Sequence, residues 1–143
     1  MICLKNAIVT VIGIIGSFIA SMLGGWDSAL ITLLIFMGAD YITGLIVAGI
    51  FKKSNKSDNG GLESKAGWKG LTRKGMTLLI VLVAARLDLL LDASYIRDAV
   101  CIAFIANETI SIVENAGLMG VPIPKVITNA IAVLKNKNKD SEE

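Results

Sequence analysis

Five ionisable side chains stand inside apolar runs of this 143-residue chain, and any chemistry it performs must involve them: Asp40, Arg86, Asp88, Glu108 and Glu114. Histidine is absent, which removes the commonest general base and metal ligand at neutral pH. The two cysteines, Cys3 and Cys101, suit neither a disulfide framework nor a thiolate zinc site. No Gly-rich phosphate loop or nucleophile elbow occurs. The chain is therefore read as no enzyme, with no catalytic residue, cofactor or metal site. What remains for the charged groups is pairing or hydration, because an ionised group in an apolar medium is costly unless partnered or wetted. Asp40 lies twelve residues from Lys52, Arg86 twelve from Lys74 and Glu108 twelve from Gly120. At the helical rise each is roughly 18 Å from its boundary, so Arg86 is expected to pair with Asp40 or Glu108. Asn107, Glu108, Ser111, Glu114 and Asn115 recur at helical spacing as one polar stripe. Such a stripe either packs on polar partners or lines a water-filled space, with partners expected in the resting state.

The elements that must position these residues are membrane helices. Hydrophobic residues make up 54% of the chain and the mean hydropathy is +0.68, too apolar a composition to cover a water-soluble globule of this size. Charges are segregated into loops. The expected architecture is an all-α integral membrane protein with four transmembrane helices, at about 7–23, 29–51, 75–91 and 99–119, forming a domain over 1–120. A basic loop, flexible in its first half, covers 52–74. The segment 121–143 is expected as an amphipathic interfacial helix and a charged tail, since Ile123, Val126, Ile127, Ala130, Ile131 and Leu134 recur at helical spacing after Pro122 and Pro124. Two or three spans, with the third or fourth run lying along the interface, is the alternative. A secretory signal peptide is the rival reading of the first run.

Orientation follows from the basic residues. Lys5, the middle loop and the C-terminal segment hold twelve of the fourteen Lys/Arg, and four spans put all three on one side, with both termini cytoplasmic. Trp26, Trp68, Lys52, Lys53, Arg73 and Lys74 are expected as interfacial anchors, and anionic lipid headgroups as their partner. The net charge of +2 gives no argument for nucleic acid. Gly13, Gly16, Ser17, Ala20, Ser21 and Gly24 line one face of the first run, a small-residue face that lets helix backbones approach. It fits self-association, or internal packing on Gly44 and Ala48 of the second run, equally well.

Gly24-Gly25-Trp26-Asp27, the segment Phe36 to Gly44, the loop Ser64 to Gly70 with Arg73-Lys74, and Ile105-Ala106-Asn107-Glu108 running through Glu114 to Gly117 and on to Pro124 together resemble the toxin-secretion/phage-lysis holin family of phages and prophages of Gram-positive bacteria, clostridial members above all. The resemblance covers nearly the whole chain. It implies a homo-oligomer of the host cytoplasmic membrane that opens timed lesions through which an endolysin, or in some relatives a large toxin, crosses. An ion or proton carrier with Asp40, Arg86, Glu108 and Glu114 as a relay is one competing reading. A membrane regulator that forms no pore, such as a holin antagonist, is another.

Overall fold

A computed structural model describes residues 1–140, in five helices and, among those residues, no strand. They are α1 (Ile2–Met22), α2 (Ser28–Ile46, continued by the π-helical turn Val47–Phe51), α3 (Ser64–Leu91), α4 (Ile96–Leu118) and α5 (Lys125–Asp140). Residues 141–143, and the side chains at 134, 135 and 137–140, lie outside the described residues; the end of the expected charged tail and the place of Leu134 on the apolar face fall there.

Helices α2, α3 and α4 pack together because each carries a seam at alternating steps of three and four, the pattern that keeps one stripe facing its neighbours. In α2 the seam is Leu30, Leu33, Met37, Asp40, Gly44 and Val47; in α3 it is Gly67, Gly70, Lys74, Thr77, Val81 and Ala84; in α4 it is Arg97, Cys101, Phe104, Glu108, Ser111 and Asn115. All of these are buried or half-buried. The seam has two zones. Leu23, Leu30, Leu33, Met37, Val81 and Cys101 form an apolar core toward the N-terminus of α2, whereas Asp40, Lys74, Glu108 and Asn115 occupy the other half.

Helix α3 begins at Ser64, about three turns before the expected start, so residues 64–74 are helix rather than loop. Gly67 and Gly70 lie against the Tyr41 ring of α2: a Cβ on either would come within 3.5 and 3.7 Å of Tyr41 atoms. That contact gives this basic, weakly apolar stretch a surface to fold on, and local hydropathy does not report it.

The end of the bundle nearest the start of α2 is tied by Arg97, which is 5% exposed. Its Nε donates to Leu23 O at 2.7 Å and its Nη2 to Gly25 O at 3.1 Å. Its guanidinium also pairs with Asp27 and with Asp98. Asp27 in turn caps α2, accepting from Leu30 N at 3.0 Å. Asp88, expected as an intramembrane pairing group, instead caps α4, its carboxylate accepting from Ile96 N and Arg97 N at 3.0 and 2.9 Å. Gly24 has φ +94°, and a Cβ there would stand 2.7 Å from Arg97 Nε, so glycine serves this turn by its backbone freedom and by its size.

Helix α1 lies apart. Its one buried residue is Ala20, and Gly13 and Gly16 have nothing within 4 Å of an added Cβ. The internal packing of its small-residue face on Gly44 and Ala48 is not what forms. Gly44 faces Asn115 of α4 instead. Helices α1 (21 residues) and α2 with its π turn (24 residues), both of mean hydropathy 2.0, are long and apolar enough to cross a bilayer. Helices α3 and α4 are not among those that meet the same measure.

Gly24→Ala is expected to lower stability by about 1–3 kcal/mol in detergent denaturation, the scale of a strained backbone conformation. Gly25→Ala, with φ +96° but open space around it, should cost less, because only the strain applies. The Arg97 hydrogen bonds hold the Asp27 carboxyl below its ordinary value of 3.8. A carboxyl whose folded pKa is depressed stabilises the fold fully above its unfolded value, and the contribution fades as pH falls through the folded one. The melting temperature should therefore drop as pH falls below 3.8, and Asp27→Asn should flatten that part of the profile.

Candidate functional site: a polar chamber in an apolar bundle

Lys74 is the centre of the polar half. Because α3 starts at Ser64, this residue stands ten positions inside a helix and on its seam. Its Nζ donates to Asp40 Oδ2 at 2.8 Å and to Glu108 Oε2 at 2.7 Å. One ammonium group thus joins α2, α3 and α4. The three side chains are 14%, 8% and 13% exposed. Asn115 completes the carboxylate's shell: its Nδ2 donates to Asp40 Oδ1 at 3.2 Å, to Asp40 O at 3.3 Å and to Thr43 Oγ1 at 2.9 Å. Thr43 Oγ1 donates onward to Ala39 O at 2.8 Å. Lys56, from the loop after α2, places its Nζ 3.8 Å from Asp40 Oδ1. Two carboxylates therefore face two ammonium groups, and the formal charges cancel, the condition under which buried ions persist.

Around this cluster lies a cavity of about 710 Å³. One wall is the α4 stripe, with Asn107, Glu108, Ser111 and Glu114; another is α3, with Lys69, Arg73 and Lys74; the loop residues Ser54 to Ser57 close a third side. Among the described residues no group of three or more potential metal ligands occurs. The cavity's chemical capacity is to hold charge, hydrogen-bond across helices and admit water.

The stripe read from sequence is brought together here with Asp40: Glu108 through the shared Lys74, Asn115 and Ser111 by hydrogen bonds to the Asp40 side chain, and Asn107 and Glu114 as cavity wall. Arg86 is not its partner. It is exposed, five residues from the end of α3, and Lys74 takes the position expected of it. The expected pairing fails because Lys74, taken as the reference point of the depth count, itself stands level with Asp40 and Glu108 on the seam. A relay running through Arg86 loses its middle member for the same reason. Of the expected anchors, Trp26, Trp68, Lys52, Lys53 and Arg73 are exposed, while Lys74 is interior. The roles of Thr43, Lys56, Asp27 and Arg97 were not anticipated. The seam from Gly67 through Lys74 to Ala84, continuous at steps of three and four, is the signal by which Lys74 could have been found.

A model of the bacteriophage holin family matches residues 17–136. An uncharacterized protein of Clostridium perfringens (strain 13 / Type A) is 40% identical over 140 residues, covering 96% of this chain and 95% of the relative. An uncharacterized 14.9 kDa protein of Clostridium perfringens, from the nagH 3′ region, is 42% identical over 125 residues, 86% and 89% of the two chains. A protein of Bacillus phage phi105 described as a probable holin is 37% identical over 105 residues, 73% and 72%. No solved structure matches the chain significantly.

Lys74→Met should destabilise the bundle by about 3–5 kcal/mol, since it leaves Glu108 buried without its cation and Asp40 with the half-exposed Lys56 alone. Adding Asp40→Asn and Glu108→Gln should recover most of that loss, and Arg86→Ala should change stability by no more than about 0.5 kcal/mol. Denaturation of the purified protein in detergent distinguishes these outcomes.

Proposed function

The chain belongs to the bacteriophage holin family, and from that premise we propose that it accumulates in the bacterial cytoplasmic membrane, assembles with copies of itself and opens lesions at a set time. An endolysin, or a large toxin, then crosses without being specifically bound. The observation that carries this reading is the inverted polarity of α2–α4: Asp40 and Glu108 converge on Lys74, while Met76, Leu79, Ile80 and Val83 of α3 and Ile102 of α4 are exposed, with Arg86, near the end of α3, the exposed charge among them. An apolar exterior around an ionic interior is stable in lipid and costly in water.

The same polarity supports α3 and α4 as spans three and four, although their charges lower their hydropathy. Helix α4, with 23 residues, is about 35 Å long against a hydrocarbon core of about 30 Å. Four spans put the loop 52–63 and both termini on the cytoplasmic side, where the basic residues are favoured and anionic headgroups are met by Lys52, Lys53, Lys65 and Lys69. Helix α5, with Ile127 and Ile131 on one face, then lies along that surface.

Helix α1 is the element suited to self-association. It is apolar all round, touches little of its own chain, and leaves Gly13, Gly16 and Ser17 open to a neighbour. Association between copies depends on concentration, so assembly is negligible at first and steep later, which supplies a delay without a separate clock. Opening then consists of turning the α4 stripe from the Lys74 cluster to water among several copies.

Induced in a bacterium that carries a folded cytosolic reporter without an export signal, the chain should abolish membrane potential abruptly after a lag and release the reporter. Loss of potential with the reporter retained would indicate a small pore or carrier, and no effect on either would favour the antagonist.

A further inference from the structure

The loop between α2 and α3 is more ordered than its Ser, Asn and Gly content suggests. It leaves α2 through Lys52 in the left-handed region (φ 51°). Ser54 N donates to Gly60 O at 3.0 Å, closing the loop at its neck. Lys56 N donates to Ser54 Oγ at 3.2 Å and Gly61 N to Asn59 Oδ1 at 2.9 Å. Gly60 has φ +75°, and a Cβ there would stand 2.5 Å from Lys52 O, so the neck admits glycine alone. The result is a small closed loop held together by its own hydrogen bonds. It stands across the cavity from Ser111 and Glu114, with Ser54, Asn55, Lys56 and Ser57 forming the wall on its side.

We propose that this loop is a lid on the polar chamber, latched by Lys56 on Asp40. Lys56 is the loosest charge of the cluster, 54% exposed and 3.8 Å from its partner, against 14% and 2.8 Å for Lys74. The lid therefore lifts before the Lys74 bridge breaks. Water reaches the α4 stripe from the loop side first, while α2, α3 and α4 are still joined, and the hydrated carboxylates then bind Lys74 less tightly. The inference rests on the four-span reading above only for the side of the membrane from which the chamber opens.

Thiol labelling tests it on the full-length chain in inverted membrane vesicles, with Cys3→Ser removing the exposed native thiol. Ser111→Cys reports the chamber, Cys101, which is 0% exposed, reports unfolding, and Asp58→Cys reports the side of the loop. With a membrane-impermeant maleimide, Lys56→Gln should raise the labelling rate at Ser111→Cys about twofold to fivefold, the shift that a partly exposed ion pair supports. Gly60→Ala should raise it as well, Lys56→Arg should leave it near the starting rate, and Cys101 should stay slow in all three. An unchanged rate at Ser111→Cys in both Lys56→Gln and Gly60→Ala overturns the lid and leaves the holin reading standing. A parallel rise at Cys101 also overturns it, because the bundle rather than the loop has then opened. Labelling of Asp58→Cys from outside intact cells, and not in inverted vesicles, overturns the orientation itself.

Discussion

A single ammonium group between two carboxylates fixes how three helices of this chain can meet. Lys74 bonds Asp40 of α2 and Glu108 of α4 from its place on α3, and each of these charges would be costly in an apolar medium without the others. Electrostatic satisfaction therefore sets the register of all three helices at one level. Asn115 and Thr43 extend the constraint along the seam by using the remaining acceptors. The apolar core beside it, from Leu30 to Cys101, adds packing but no comparable directional demand.

The two ends of the bundle are held by different means. Around Asp27, Arg97 gathers the carbonyls of Leu23 and Gly25 and the carboxylates of Asp27 and Asp98, while Asp88 caps α4; these contacts are numerous and short. At the other end the chamber is closed by a loop whose ion pair to the helices is longer and half-exposed. The loop end is thus the more weakly tied of the two, which is where the proposed lid sits, facing the polar stripe of α4. The seam is bistable in principle because each of its polar groups has an alternative partner in water.

Helix α1 stands outside this scheme. The turn that follows it, Leu23 to Gly25, supplies the carbonyls that Arg97 holds, and the helix itself leaves most of its apolar surface exposed. Because α1 is anchored only at its end, the proposed self-association through it would leave the Lys74 cluster undisturbed.

The sequence by itself determined the elements and their surroundings. The apolar runs of α1 and α2, the Gly24-Gly25 break, the helix after Pro124 and the polar stripe of α4 were all legible, because periodicity and hydropathy are local properties of the chain. Resemblance in the same residues pointed to the family. What only the tertiary structure decided was which cation neutralises Asp40 and Glu108, where α3 begins, and whether α1 packs inward. Lys74 looked like the edge of a span because hydropathy falls there, yet the helix continues for ten residues before it, supported by Tyr41 across the interface. Arg97 looked like a loop residue for the same reason, although backbone carbonyls 72 and 74 positions away in sequence hold it. Pairing between ionic groups depends on distances between helices, and no local property of a sequence contains those.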